Sequence, residues 1–175
     1  MTTIVAVKDG NRVVMGCDSK VTDETGAWWS HPLSKKIMQR GEIIIGGSGD
    51  CEPLDIALHI WQPPKTTVAD RKDIYRFVIT KLLPSLKKCF KDNDYQWRTD
   101  SSEPKFNFLI ALCGHIFEFQ DDFGIVMRES GIHGIGSGSQ YALGALHAGA
   151  TVTEALEIAE AHDTHTGAPF YLFNQ

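Results

Sequence analysis

The sequence predicts an α+β protein, a four-layer αββα sandwich in which two antiparallel sheets face each other and helices cover both outer faces. Apolar residues follow strand-like alternation in three parts of the chain and helical spacing in the two parts between them. This order differs from the regular strand-helix alternation of a parallel sheet. The 175 residues, 42% of them hydrophobic, suffice for one domain with its own core, which we expect to cover residues 1–175.

The first fifty residues are predicted to form two hairpins. Their strands cover residues 2–8, 12–18, 35–38 and 42–45. The first pair is joined by Asp9-Gly10-Asn11, whose residues tolerate positive φ, and the second pair by an Arg40-Gly41 turn. The paired aromatics Trp28-Trp29, between the hairpins, are assigned to the core or to a subunit contact.

Four helices are predicted from apolar residues at helical spacing. The first follows Asp50 and ends at Pro63-Pro64, and the others cover residues 69–92, 139–148 and 152–161. Pro84 predicts a kink or break in the second helix. Thr151 and Thr153 are both available to cap the last one.

The later strands are shorter and are separated by Gly or Asp residues. They are predicted at residues 106–113, 115–120, 124–127 and 168–173. The polar segment 93–105 is predicted to be a loop.

Charge and composition exclude several classes of function. Seventeen Lys and Arg against 22 Asp and Glu give a net charge of −5, so no broad basic face for nucleic acid is expected. The apolar runs are far shorter than the roughly 18 to 20 residues that span a bilayer, and the start resembles no secretory signal. Four cysteines without a CxxC pair are typical of reduced thiols, and Cys17, Cys51 and Cys113 are expected to be buried. We therefore expect a cytoplasmic location and no membrane partner.

Thr2 is a candidate nucleophile, because Met1 is expected to be removed before a small residue. A terminal Thr carries a hydroxyl and a free α-amine on one residue, and the amine can take the hydroxyl proton. Taken alone, Thr2 is better explained as a β-branched residue that opens an edge strand.

Six segments of the chain, considered together, carry more information about function than Thr2 does alone. They are Thr2-Thr3-Ile4-Val5, Gly16-Cys17-Asp18-Ser19-Lys20-Val21-Thr22, Lys35-Lys36-Ile37, Gly46-Gly47-Ser48-Gly49-Asp50-Cys51, Gly136-Ser137-Gly138-Ser139-Gln140-Tyr141-Ala142 and Asp163-Thr164-His165-Thr166-Gly167. This order closely resembles the proteasome β-subunit and its bacterial relative HslV, across nearly the whole chain. The resemblance implies the N-terminal-nucleophile hydrolase fold and a threonine endopeptidase that cleaves unfolded polypeptides inside stacked homo-oligomeric rings.

The resemblance makes Thr2 the nucleophile and makes Asp18 and Lys36 the charged pair beneath it. A Lys36 ammonium would lower the pKa of the terminal amine by like-charge repulsion, and Asp18 would balance and orient Lys36. Lys35 is the adjacent alternative. Neighbours in a strand face opposite sides, so only one of the two lysines can reach Thr2.

Further catalytic roles follow from the same resemblance. It places the backbone donor to the oxyanion at Gly46, and Gly47 stays an alternative because the preceding segment is shorter than in typical members. Ser137 resembles the serine beside the terminal amine. Asp163 and Thr166 resemble the pair that orients this serine, with Thr166 standing where a Ser is usual.

The resemblance also assigns substrate-binding residues. Lys20-Val21-Thr22 would line the first specificity pocket and pair with an extended substrate by β-augmentation. Val21, Ile44 or Ile45, and Ser48 would give this pocket a medium-sized apolar wall.

Metal and cofactor chemistry is not expected. His162-Asp163-Thr164-His165 lacks a third ligand at suitable spacing, and the glycines of 134–138 do not match the GxGxxG spacing of a dinucleotide loop. Neither Ser48 nor Ser137 lies in the GxSxG elbow of an α/β-hydrolase.

Two other functions stay open at the level of sequence. The chain could be another N-terminal-nucleophile amidohydrolase, acting on small molecules. It could also be a catalytically silent structural ring subunit if Met1 is retained, because an acylated Thr2 nitrogen is no base. A separate ATPase unfoldase would be required for folded substrates, and no residue of the chain identifies one.

Overall fold

The computed structural model describes residues 2–23, 25–95 and 106–175, which form eleven strands in three antiparallel sheets. The strands are β1 (Thr3–Asp9), β2 (Arg12–Cys17), β3 (Val21–Thr22), β4 (Trp28–Trp29), β5 (Ile37–Arg40), β6 (Ile43–Gly49), β7 (Phe106–Leu112), β8 (His115–Phe119), β9 (Ile125–Val126), β10 (Ile132–Gly136) and β11 (Tyr171–Asn174). One sheet has the order β10-β1-β2-β11 and the other β5-β6-β7-β8-β9, and β3 pairs with β4 in a separate ribbon.

Helices lie on the outer face of each large sheet. They are α1 (Cys51–Asp55) with the π-helical turn Ile56–Ile60, the 3-10 turn Asp70–Lys72, α2 (Ile74–Phe77) with the π-helical turn Val78–Leu82, α3 (Leu83–Asp92), α4 (Ser139–His147) and α5 (Val152–His162). The first group covers the five-stranded sheet, and α4 and α5 cover the four-stranded sheet.

Strand alternation divides the core into three layers. Ile4 and Ala6 of β1 point to the other sheet and pack in a cluster with Ile44 and Leu109, whereas Val5 between them packs with residues of α4 and α5. On the far side of the five-stranded sheet, Phe77, Phe90, Phe106, Phe108 and other apolar side chains pack between the strands and the helices. The αββα sandwich predicted from the sequence is therefore confirmed.

The predicted hairpins are confirmed, but β10 was missed. The glycine-rich sequence of β10 has low strand propensity, which hid it. Its register pairs Gly136 with Thr3. Gly136 has φ +91°, and a Cβ at this position would lie 1.9 Å from the Thr2 carbonyl oxygen, so only glycine fits this approach.

The helical predictions need two corrections. The α-helical part of the second helix begins at Ile74 and not near residue 69, because Asp73 caps it by accepting a hydrogen bond from the Arg76 backbone N–H. Of the two outcomes predicted for Pro84, the break is wrong, because helical turns continue from Val78 to Asp92, and the kink stays a prediction. A π-helical turn directly precedes α3, and such turns accommodate a residue that cannot donate to the usual carbonyl.

The last strand begins at Tyr171 and not at Ala168. The Ala168 backbone N–H donates to the Glu160 side chain instead of to a neighbouring strand, and Pro169 has no N–H to donate. Of the predicted loop 93–105, residues 96–105 lie outside the described part of the chain.

Several burial predictions need correction. Trp28 and Trp29 are 63% and 48% exposed, so the assignment to the core is wrong, and the alternative of a subunit contact stays a prediction. Cys17 is buried as expected, whereas Cys51 is exposed and Cys113 is only half-buried. Within the described ranges, no helix is long and apolar enough to cross a membrane.

The cap of α5 generates the first prediction. Thr151 accepts a hydrogen bond from the Glu154 N–H, and the Glu154 carboxylate accepts one from the Thr151 N–H, which is a capping box. We expect Thr151→Ala to lower the free energy of unfolding by about 1 kcal/mol in urea titrations. Thr153→Ala, at an exposed helical position, is the matched control and should be neutral or slightly stabilising. Equal losses in both variants would contradict the assignment of Thr151 as the cap.

Candidate active site

A fully buried carboxylate, Asp18, receives four hydrogen bonds where β2 ends. Its Oδ1 accepts from the Lys36 ammonium at 2.7 Å and from the Thr3 backbone N–H at 2.8 Å. Its Oδ2 accepts from the backbone N–H groups of Lys20 at 3.1 Å and Gly167 at 3.3 Å. Asp18 thus joins the start of β1 to three other segments of the chain.

Lys36, and not Lys35, reaches Asp18. The Lys36 side chain is buried and donates a second hydrogen bond, 2.6 Å long, to the Lys20 carbonyl oxygen. Lys35 faces the other way, with its ammonium 5.2 Å from the centre of the Tyr171 ring. Burial lowers the pKa of Lys36, and the charge of Asp18 opposes this shift.

Thr2 lies directly before β1 and is 5% exposed. It lines a cavity of about 550 Å³, whose wall also includes Ser48, Asn107, Asp121, Gly136 and Ser137. Because Thr3 binds Asp18 through its backbone N–H, the Lys36–Asp18 pair lies one residue away from Thr2.

A second polar network connects the predicted residues Ser137, Asp163 and Thr166. Asp163 Oδ2 accepts hydrogen bonds from the hydroxyls of Ser137 at 2.8 Å and Thr166 at 2.7 Å. The Thr166 hydroxyl also lies 2.6 Å from the Thr3 hydroxyl. Burial alone would raise the pKa of Asp163, but the hydrogen bonds from Thr166 and Ser137 outweigh it, and the pKa lies below the ordinary value.

The two candidate oxyanion donors belong to β6. The Gly47 N–H donates to the Lys36 carbonyl oxygen at 3.1 Å, on the β5 side of the strand. Since N–H groups alternate in direction along a strand, the Gly46 N–H faces β7, where the register pairs Gly46 with Leu109. Both N–H groups thus face a neighbouring strand, and the choice between the two glycines as oxyanion donor stays a prediction.

The predicted substrate-binding residues divide into two groups. Val21 and Thr22 form β3, half-buried beside the loop 163–167, and the Lys20 ammonium donates to the Thr164 carbonyl oxygen at 2.5 Å. Ser48 lines the cavity with Thr2. Ile45, in contrast, is fully buried in the core layer beneath α1 to α3 and not on the cavity wall.

His162 and Cys17 are two further side chains with reactive groups. The His162 ring stacks on Tyr141 with ring centres 5.5 Å apart. Burial raises the pKa of the Cys17 thiol to about 12, which keeps it protonated and unreactive. Among the described residues, no group of three or more His, Cys, Asp or Glu is placed to hold a metal ion.

Comparison with solved structures identifies the fold. Thiobacillus denitrificans BPH, solved in complex with epoxomicin, matches with a TM-score of 0.76 and 21% identity over 99% of this chain and 98% of that chain. The eukaryotic HslV from Trypanosoma brucei matches with a TM-score of 0.67 and 19% identity over 99% and 98%. Anbu, the ancestral β-subunit from Yersinia bercovieri, matches with a TM-score of 0.68 and 11% identity over 99% and 81%. The chain has the proteasome-like N-terminal-nucleophile hydrolase fold. No protein-family model matches it.

Within this proteasome-like fold, two contributors to the site have no sequence signal of their own. The Thr3 side chain completes the network around Asp163 through Thr166. A Cβ on Gly138 would lie 2.2 Å from the Thr3 hydroxyl oxygen and 2.5 Å from the Thr166 hydroxyl oxygen. A tight approach of this kind depends on distant segments, so neither residue could be assigned before the fold was known.

Gly138 generates a second prediction. Gly138→Ala should displace the Thr3 and Thr166 hydroxyls and lower the free energy of unfolding by about 1 to 3 kcal/mol. Gly144→Ala, at a helical position with no atom within 4 Å of the new Cβ, should stabilise the protein by up to about 1 kcal/mol. Urea titrations of both variants provide the measurement, and a neutral Gly138→Ala would contradict the tight packing of this network.

The lowered pKa of Asp163 gives a third prediction. A carboxyl whose pKa is lower in the folded than in the unfolded state stabilises the fold above its ordinary pKa of 3.8, and this contribution is lost as the pH falls through the folded-state value. The difference in unfolding free energy between the wild-type protein and Asp163→Asn should therefore be largest above about pH 5. It should become smaller below about pH 4. A difference that does not change with pH would show that Asp163 contributes by its shape and not by its charge.

Proposed function

We propose that the protein is a threonine endopeptidase in which Thr2, exposed by removal of Met1, is the nucleophile. The observation that carries the proposal is the position of Thr2. It lies on the wall of a cavity that Ser137 also lines, one residue from the buried Lys36–Asp18 pair. A terminal threonine in this position would have its hydroxyl open to a substrate and its amine close to polar groups that can orient it.

In the proposed reaction, the α-amine of Thr2 takes the proton from the Thr2 hydroxyl as its oxygen attacks the scissile carbonyl carbon. The carbonyl π electrons move to oxygen, and a backbone N–H of Gly46 or Gly47 would stabilise this oxyanion. When the intermediate collapses, the C–N bond breaks and the proton passes from the α-amine to the leaving amine. The product at this stage is an ester on Thr2.

Water then completes the reaction. The free α-amine takes a proton from a water molecule, whose oxygen attacks the ester carbon. Collapse of the second intermediate breaks the bond to the Thr2 oxygen, which recovers the proton from the amine. The overall change is the hydrolysis of one peptide bond, and no other reactant is required.

The charged pair supports the amine in both steps. An ammonium close to the α-amine disfavours protonation of that amine, which keeps it available as a base at neutral pH. Asp18 keeps the buried ammonium of Lys36 in place, because an unpaired charge in this environment would be costly. The Ser137 hydroxyl, fixed by Asp163, would orient the amine.

The proposed substrates are unfolded polypeptides. β3 offers a short edge on which an extended chain could pair, and such pairing requires a substrate without its own secondary structure. As the sequence resemblance implies, the subunits would assemble into homo-oligomeric rings in the cytoplasm, and a separate ATPase would unfold folded substrates.

Two adjacent lysines provide the fourth prediction. Lys36→Met should reduce peptidase kcat by about 100-fold, because the α-amine loses the neighbouring positive charge that keeps it unprotonated and Asp18 is left as an unpaired negative charge that favours its protonation. Lys35→Met, whose side chain lies against Tyr171, is the matched control and should retain wild-type activity. Circular dichroism would establish that both variants are folded, and Lys36→Arg would keep the charge if Lys36→Met does not fold. Similar activities for the two Met variants would contradict the proposed role of Lys36.

Intact mass spectrometry tests the nucleophile itself. The purified protein should lack the mass of Met1 and gain one adduct per chain with epoxomicin, the compound bound in the Thiobacillus denitrificans BPH structure, because its epoxyketone reacts with the hydroxyl and amine of a terminal Thr. Thr2→Ala should form no adduct and should lose peptidase activity. A chain without Met1 that forms no adduct, or an active Thr2→Ala variant, would overturn the proposed function.

A further inference from the structure

The loop of residues 163–167 contacts the substrate-binding segment as well as the catalytic network. Four contacts join residues 19–22 to the loop. The Ser19 N–H and the Ser19 hydroxyl donate to the Gly167 carbonyl oxygen at 3.0 and 3.5 Å, the Lys20 ammonium donates to the Thr164 carbonyl oxygen at 2.5 Å, and His165 Nδ1 lies 3.3 Å from the Thr22 hydroxyl oxygen. The first three use backbone oxygens of the loop. His165 is the residue that contributes its side chain.

His165 connects β3 to Asp163 through two different atoms. Its ring contacts Thr22 of β3, and its backbone N–H donates to Asp163 Oδ1 at 3.2 Å. The other oxygen of Asp163 accepts the Ser137 hydroxyl. One residue therefore links the proposed substrate strand to the carboxylate that binds Ser137, which lines the cavity with Thr2.

β3 depends on such contacts because it belongs to neither large sheet. It is two residues long and pairs only with β4 in the described part of the chain, and β4 consists of the exposed Trp28 and Trp29. A two-stranded ribbon is marginally stable by itself, so contacts with other segments must hold its position relative to β1. The His165–Thr22 contact lies on β3 itself, whereas the contacts of Ser19 and Lys20 precede it.

We propose that His165 is a positioning residue, which holds β3 against the loop that carries Asp163 and so aligns an extended substrate with Thr2. This role rests on the proposed peptidase function. The Thr22 hydroxyl can donate to or accept from the imidazole nitrogen, so the contact forms with either neutral tautomer. The proposal also gives a role to a histidine whose motif suggested a metal ligand but lacked a third partner.

Peptide substrates of different length test this role. A fluorogenic tetrapeptide amide is long enough to pair with β3, whereas a single-residue amide with the same leaving group is too short. In His165→Ala, the ratio of kcat/KM for the long substrate to kcat/KM for the short one should fall about three- to tenfold, mainly through KM of the long substrate. His165→Asn, which keeps a polar atom near the position of Nδ1, should restore most of the ratio.

Thr164→Ala is the matched control in the same loop. The Thr164 side chain is exposed, and its contact with Lys20 uses the backbone oxygen, so the ratio should keep its wild-type value. Thr22→Val should lower the ratio by itself but not further in combination with His165→Ala, because both changes remove one contact. An unchanged ratio in His165→Ala, an equal loss for both substrates, or additive losses in the double variant would each overturn the proposal.

A measurement without catalysis separates this proposal from the proposed function. If the wild-type protein cleaves neither substrate, the proposed function fails while the structural part of the inference can still be tested. Amide hydrogen exchange at Val21 and Thr22 should be faster in His165→Ala than in Thr164→Ala or the wild-type protein. Equal exchange rates in the three proteins would overturn the positioning role independently of activity.

Discussion

The buried ion pair between Asp18 and Lys36 is the interaction on which the whole candidate site depends. Burial of two charges carries a desolvation cost that only good geometry and further hydrogen bonds offset. Asp18 meets this requirement with donors from Lys36 and three backbone N–H groups, those of Thr3, Lys20 and Gly167. Because these donors come from separate segments, satisfying one carboxylate also brings the segments together. The hydrogen bonds that compensate the buried charge of Asp18 therefore hold the segments of the site in their relative positions.

Antiparallel topology explains why the site lies at one edge of both sheets. In an antiparallel sheet, the start of one strand lies beside the end of its neighbour. β1 starts after Thr2, β2 ends before Asp18, and β10 ends before Ser137. In the second sheet, β5 starts after Lys36 and β6 ends just past Ser48. Residues far apart in sequence thus meet without any loop crossing the core.

The parts of the fold that the sequence predicts are those in which apolar residues recur at regular strand or helix spacing. The two hairpins and the helices follow from which face of an element each apolar residue occupies. β10 was missed because glycines replace the apolar residues that would have indicated a strand.

The contacts within the site are harder to predict than the elements. The spacing of Ser137 and Asp163 in the sequence does not predict their hydrogen bond, which forms because β10 and the loop after α5 end at the same edge. Ile45 was predicted to line the substrate pocket. Its segment does lie at the site, but its side chain lies in the core. Sequence order therefore identifies the segments that meet, whereas strand register decides which of their residues face the site.

The fold and the chemistry of the site have separate requirements. The hydrogen bonds around Asp18 and Asp163 use Lys36, Thr3, Ser137 and Thr166, and none of the bonds that join these residues requires a free amine on Thr2. A proteasome-like fold can therefore assemble without a catalytic base, which is why similarity of fold does not establish activity. In the proposed enzyme, removal of Met1 adds the base to a site whose supporting residues are already in position. Preorganisation of this kind lowers the cost of reaching the transition state, because the polar groups need not rearrange when charge develops at the substrate.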